Sequence, residues 1–121
     1  MEVDDGRVAE CPTEAALAVI GGRWKVPILW HLRRGTLRFG ELSRLLSGVT
    51  QKMLTQQLRE LERDGIVYRR VYPEVPPRVE YSLTQLGASL SPLLDALSTW
   101  GEGFLSQVVA RRDGMCTRET A

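Results

Sequence analysis

Gln51, Lys52, Thr55, Gln56 and Arg59 fall on one side of a segment whose other side carries Leu54, Leu58 and Leu61. A glutamine amide can pair bidentately with adenine, and arginine or lysine with guanine, on the base edges exposed in the major groove. Thr50 stands just before this segment and can cap a helix through its hydroxyl. The free N–H groups of a helix N-terminus attract phosphate. A merely solvated helix would show the same residue types. Recognition is favoured because this face follows a helix and turn of suitable length and carries no acid until Glu60. Arg38, Arg44, Arg69, Arg70 and Arg78 flank the segment as candidate phosphate contacts, with Arg38 and Arg78 the stronger pair. Arg69 and Arg70 alternate faces on a strand, so at most one of them points to DNA.

Other chemistry is sparse. Cys11 precedes Pro12 at the expected start of a helix, where the macrodipole favours thiolate. Glu10 and Glu14 oppose that effect at similar strength, so the sequence leaves Cys11 open between a sensing thiol and a residue that starts a helix. Cys116 lies in the tail, and the two cysteines match no zinc spacing. His31 sits between Trp30 and Leu32 without a companion ligand or triad partner. Glu60, Glu62 and Asp64 lie along a helix surface and do not converge. No glycine-rich loop joins a strand to a helix. Neither a metal, a cofactor nor an enzymatic reaction is expected.

The elements that would position these groups follow from periodicity. A helix starts at Pro12 and ends at Gly21-Gly22; a second spans about Trp24–Arg33, with Pro27 in its first turn, where it costs little. Leu37–Phe39 is extended. Phe39–Leu46 is a short helix with Leu42, Leu45 and Leu46 facing inward, and Ser47-Gly48-Val49 is a turn. The longer helix runs from about Thr50 to Asp64, its leucine stripe joined by Met53. Residues 66–72 and 78–83 read as two strands, rich in β-branched and aromatic side chains. Pro73-Glu74-Val75-Pro76-Pro77 between them forms a stiff tip. Thr84 caps a C-terminal helical region that Pro92 kinks or divides. This order describes a winged helix-turn-helix, mainly α with a small β-hairpin wing.

The chain has 121 residues, 43% hydrophobic and 26% charged, with formal net charge +1. One domain with one modest core is expected. No global basic field points to nucleic acid, so a DNA-binding surface requires local segregation of charge. No apolar run approaches a membrane span, the first residues are not signal-like, and a cytosolic protein with reduced thiols is expected. Leu86, Leu90, Leu93, Leu94, Leu97, Trp100, Phe104, Leu105 and Val108 form a helical stripe. It either covers the winged core or pairs with a second copy, and a core already supplied with helices favours the second copy.

Several stretches together closely resemble the HxlR-type winged helix-turn-helix regulators of bacteria and archaea. These are Cys11-Pro12, Val19-Ile20-Gly21-Gly22-Arg23-Trp24, Arg38-Phe39-Gly40-Glu41-Leu42, the run from Lys52 to Gly65, Tyr72 to Tyr81, and Leu83-Thr84-Gln85-Leu86-Gly87. The resemblance implies a homodimer that binds double-stranded operator DNA and regulates transcription, with repression favoured. It implies that the helix from Thr50 enters the major groove, that the wing touches backbone or minor groove, and that the first and C-terminal helices form the dimer. Some such proteins sense oxidants, quinones or aldehydes at the position of Cys11. The expected organisation is a flexible segment 1–10, a domain 11–112 and a flexible tail 113–121. Within the domain the DNA-binding core is about 24–83, and the dimerisation helices are about 12–21 and 84–110. A small-molecule inducer acting non-covalently, and a protein-interaction module without DNA binding, are the alternatives.

Overall fold

The computed structural model describes residues 11–119, with side chains through residue 107. The expected flexible segment 1–10 and the side chain of Cys116 lie outside the described residues. The elements are α1 (Pro12–Ile20), α2 (Lys25–Leu32), β1 (Leu37–Arg38), α3 (Phe39–Leu45), α4 (Gln51–Arg63), β2 (Val67–Tyr72), β3 (Arg78–Leu83), α5 (Gln85–Ala88) and α6 (Ser91–Glu119). The chain divides into two compact units, one ending at Ser89 and the other beginning at Leu90.

The first unit is a winged helix-turn-helix. Its core joins Ile28, Leu29 and Leu32 of α2, Leu42 of α3, Leu54, Leu58 and Leu61 of α4, and Val67 and Tyr81 of the strands, all buried. Leucines spaced by four and three residues share one helix face, so burying that stripe leaves α4 strongly two-sided. Thr50 caps α4, its Oγ1 accepting the Met53 N–H at 3.0 Å. Gly65, at φ +77°, turns the chain out of the helix. Two expected core residues lie elsewhere: Leu45 is 49% exposed and Met53 38%. Leu45, the last residue of α3, lines a concavity with Trp30, His31 and residues 34–37, and Met53 lies in the first turn of α4.

The sheet has three strands, in the order β1-β3-β2. The extended piece before α3 is therefore a third strand added to the expected two-stranded ribbon, with Leu37 opposite Tyr81 and Arg38 opposite Glu80. In the hairpin, Arg70 faces Glu80 and Tyr72 faces Arg78. Residues directly opposite one another share a sheet face. Arg38, Glu80 and Arg70 therefore form a row across the outer face, with Tyr72 and Arg78 beside it. Arg69 lies on the other face with Tyr81.

The root of the wing is tied tightly to α4. Thr84 Oγ1 lies 2.5 Å from the Gly65 carbonyl oxygen and 3.1 Å from that of Ile66, and accepts the Gly87 N–H at 3.0 Å. Gly87 packs against the Ile66 carbonyl so closely that a β-carbon has no room.

A buried ion pair links α2 to α4. Lys25 Nζ lies 2.6 Å from Glu60 Oε1, with the lysine side chain 7% and the glutamate 28% exposed. The bonded ammonium holds the Glu60 carboxyl below its ordinary value of 4.5, against burial, which pushes it up.

In the second unit, α6 starts at Ser91 with Pro92 in its first turn, where a missing N–H costs little. The helical region is thus divided, as the proline suggested. The backbone remains helical through Glu119, past Arg112, where a flexible tail was expected. Polar composition does not oppose a helix when no proline follows and arginine, methionine and glutamate are present. Leu93, Leu97, Trp100, Phe104 and Leu105 are exposed on α6, and the Trp100 and Phe104 rings stack at 4.8 Å.

Two stability predictions follow from these contacts. Gly87→Ala should destabilise the protein by about 1–3 kcal/mol, because backbone must move to admit the methyl; thermal unfolding measures it, and an unchanged melting temperature refutes the close approach. Glu60→Gln should cost about 1.5–3 kcal/mol at neutral pH by leaving the Lys25 ammonium short of its charged acceptor. A depressed carboxyl pKa stabilises the fold above the ordinary value and loses that contribution as pH falls through the folded value. The variant's disadvantage should therefore shrink on acidification below about pH 4.5, and a pH-independent difference refutes the linkage.

Candidate nucleic-acid interface

Because α4 buries its leucines, its opposite side is presented outward. Gln51, Lys52, Gln56 and Arg59 are exposed and Thr55 is half-buried. These five side chains line one open concavity of about 640 Å³. They are the five residues singled out from the sequence, and the fold brings them together. Thr50 is exposed at the head of the same helix, with its hydroxyl oxygen engaged as the cap. Its hydroxyl hydrogen still allows donation to an incoming phosphate oxygen.

Glu60, the first acid on α4, is less disruptive to this surface than its charge suggests. One oxygen is bonded to Lys25 and the other accepts from Gln56 Nε2 at 3.4 Å. The carboxylate is thus neutralised from behind and also steadies one of the candidate base-reading amides. Lys25 escaped the sequence reading. A lysine at the start of an apolar helix has no pattern that separates an internal partner from a surface charge.

Arg38 is exposed and caps α3. Its backbone N–H donates to Glu41 Oε1 at 2.8 Å. That bond fixes the main chain and leaves the guanidinium to the surface. Arg38 lines a second concavity of about 430 Å³ with Phe39, Gly40 and the wing-tip residues from Glu74 to Val79. Arg78, the other favoured phosphate contact, is already engaged. Its Nη2 lies 3.2 Å from Glu74 Oε2, its Nε 3.7 Å from Glu80 Oε2, and its guanidinium sits 3.9 Å from the centre of the Tyr72 ring. Arg70 lies over the same ring at 4.8 Å. The sequence offered a signal for this cluster: positions 72 and 78 flank the five-residue tip symmetrically, so hairpin pairing sets them opposite each other.

Arg69 turns away from that cluster. It lines a smaller concavity of about 240 Å³ with Thr55, Leu58, Arg59, Glu62 and Tyr81, where the wing meets α4. Arg44 is exposed on α3.

Cys11 is a free, half-buried thiol at the N-cap of α1. Backbone N–H groups of Glu14 and then Thr13, with the Thr13 hydroxyl, hold the thiol below its ordinary value. These amides act in the direction of the macrodipole, and Glu10, the opposing acid before the helix, lies outside the described residues. Among the described residues no cluster of histidine, cysteine, aspartate and glutamate could hold a metal, and no helix is long and apolar enough to cross a membrane.

These features have counterparts in known proteins. The chain is 50% identical over 98 residues to the uncharacterized HTH-type transcriptional regulator YdeP of Bacillus subtilis (strain 168), covering 81% of this chain and 77% of that protein. It is 56% identical over 95 residues to YtcD of the same organism, another uncharacterized HTH-type transcriptional regulator, covering 78% and 75%. The solved structure of the redox regulator HypR in its reduced form is similar with a TM-score of 0.79 at 48% identity, over 83% of this chain and 99% of that one. With residues 19–109 matching the HxlR-like helix-turn-helix model, the chain belongs to that family.

Proposed function

We propose that the protein is a sequence-specific, DNA-binding transcriptional regulator that acts as a homodimer and represses by occupying its operator. The observation that carries this reading is the outward polar face of α4, opposite three fully buried leucines. In the mechanism, α4 enters the major groove. Gln51, Lys52, Gln56 and Arg59 meet base edges, Thr55 adds a short hydroxyl contact, and Thr50 meets phosphate at the helix head. Arg38 and Arg78 hold the backbone on the wing side. The protein works in the cytoplasm and catalyses no reaction.

The dimer reading rests on α6. Leu93, Leu97, Trp100 and Phe104 recur at intervals of four, three and four residues and are all exposed. Such a continuous apolar helix stripe favours pairing with the same stripe on a second copy. Two-fold symmetry would then present two α4 helices to successive turns of one operator face, about 34 Å apart.

Cys11 is proposed as the point at which oxidants or electrophiles act. Its thiol is activated by helix amides, and the similar HypR is described as a redox regulator. Covalent modification at the α1 cap would favour a different dimer arrangement and loosen the hold on DNA.

Lys52→Ala, Gln56→Ala and Arg59→Ala should each weaken operator binding, by about 1–3 kcal/mol where a base contact is lost. Footprinting should show protected half-sites one helical turn apart. Binding that is indifferent to all three changes and to salt would identify a protein-interaction module instead. For the sensing step, diamide or a quinone should release the wild-type protein from DNA and spare Cys11→Ser. Equal release of both refutes sensing at Cys11, and release of both by a non-covalent ligand supports the alternative inducer.

A further inference from the structure

The wing carries its own anionic competitor for DNA. Arg78 has three neighbours, Tyr72 and Glu80 on the outer sheet face and Glu74 in the tip, each near a different part of the guanidinium. The Tyr72 ring takes one planar face at 3.9 Å. Glu80 lies 3.7 Å from Nε, on the side nearest the strand, and its side chain is 22% exposed. Glu74 lies 3.2 Å from the terminal Nη2, and its side chain is 49% exposed. Nη2 is the end of the group that an approaching phosphate would meet. Carboxylate and phosphate oxygens both accept from a guanidinium edge with similar geometry. The Arg78 side chain is held at 32% exposure, with little freedom to turn to a second partner.

We propose that Glu74 is an internal phosphate mimic that limits sequence-independent binding by the wing. Docking on the operator exchanges the Glu74–Arg78 ion pair for a phosphate–Arg78 pair. The exchange is balanced: one exposed ion pair opens as another forms, and Tyr72 with Glu80 keeps the guanidinium in place throughout. On an arbitrary duplex, without base contacts to anchor the complex, the exchange returns little and the pair stays closed. On the operator, base contacts from α4 anchor the complex and carry the exchange with them. Glu74 thus lowers what the wing adds to binding on any duplex, so that base contacts from α4 carry more of the hold. Arg38 lines the same concavity, and Glu41 bonds to its backbone N–H and not to its guanidinium.

This inference rests on the proposed DNA-binding function, and the experiment separates the two. Full-length wild type, Glu74→Gln, Arg78→Gln and the double variant are titrated with the footprinted operator and with an unrelated duplex of equal length, by fluorescence anisotropy over a series of KCl concentrations. Glu74→Gln should bind the unrelated duplex about two- to fivefold tighter, the size of an exposed ion-pair effect. Its log–log salt slope should steepen by about one, as one more phosphate is neutralised. On the operator, where Arg78 already meets phosphate in the wild type, the slope should stay unchanged. In the Arg78→Gln background the same Glu74 change should have no effect on the slope.

An unchanged or weakened affinity of Glu74→Gln for the unrelated duplex overturns the proposal, since Glu74 would then merely orient Arg78. A gain that persists without Arg78 also overturns it, as a general effect of removing one negative charge. If wild type binds neither duplex in a salt-dependent manner, the DNA-binding function itself falls and the mimic with it.

Discussion

The burial of Leu54, Leu58 and Leu61 determines what α4 can do. A helix fixes the angular position of every side chain, so seating three leucines in the core leaves no freedom in which residues face outward. Their side chains are 0–1% exposed. Turning the helix to present a different set would drag at least one leucine into water, at about 1.5–3 kcal/mol for each side chain fully exposed. The outward placement of Gln51, Lys52, Thr55, Gln56 and Arg59 is therefore a consequence of packing. Lys25 adds an electrostatic hold through Glu60 at the far end of the same helix.

The wing inherits its position from that helix. Only Asp64, Gly65 and Ile66 separate the end of α4 from β2. Their path is held by Thr84, which meets the Gly65 and Ile66 carbonyls, and by Gly87, which lets backbone approach backbone. A joint this short transmits orientation without a flexible linker. It brings Arg69 of β2 into the same concavity as Thr55 and Arg59, while Arg70 and Arg78 are carried to the opposite sheet face beside Tyr72. Helix α4 and the ribbon thus contribute to one surface.

The parts legible in the sequence are those with a period or a punctuation mark. The α4 stripe, the Thr50 cap, the proline-bounded tip and the break near Pro92 all announce themselves in this way. So did the five outward residues of α4, because their positions follow from the buried ones. The third strand was harder, since two residues cannot display an alternation. Leu45 and Met53 misled because an apolar side chain near a helix end can stay at the surface without entering the core. Lys25 was illegible for a different reason. Its role depends on Glu60, thirty-five positions later, and on a helix crossing that local pattern does not encode. The competition at Cys11 was visible, but not the pull of the Glu14 and Thr13 amides, which depends on where they point.

Placing acids next to groups meant for DNA looks wasteful until the whole charge is considered. With sixteen basic and fifteen acidic residues, the chain has almost no long-range field to draw it to phosphate. A protein that neutralises six to ten phosphates through unopposed arginines gains affinity everywhere, and its preference for one site must then be won against strong binding to all others. Here Glu60 sits beside Gln56 and Glu74 beside Arg78, so both the reading helix and the ribbon meet DNA with part of their positive potential already spent internally. The two acids differ in what they permit. Glu60 is bonded to buried Lys25 and stays with the core, where it orients an amide without surrendering its partner. Glu74 is half in solvent at a tip and can yield its partner when a phosphate arrives. A near-neutral chain with one fixed and one exchangeable acid depends on base contacts for its hold on DNA, and that dependence is what a site-specific regulator requires.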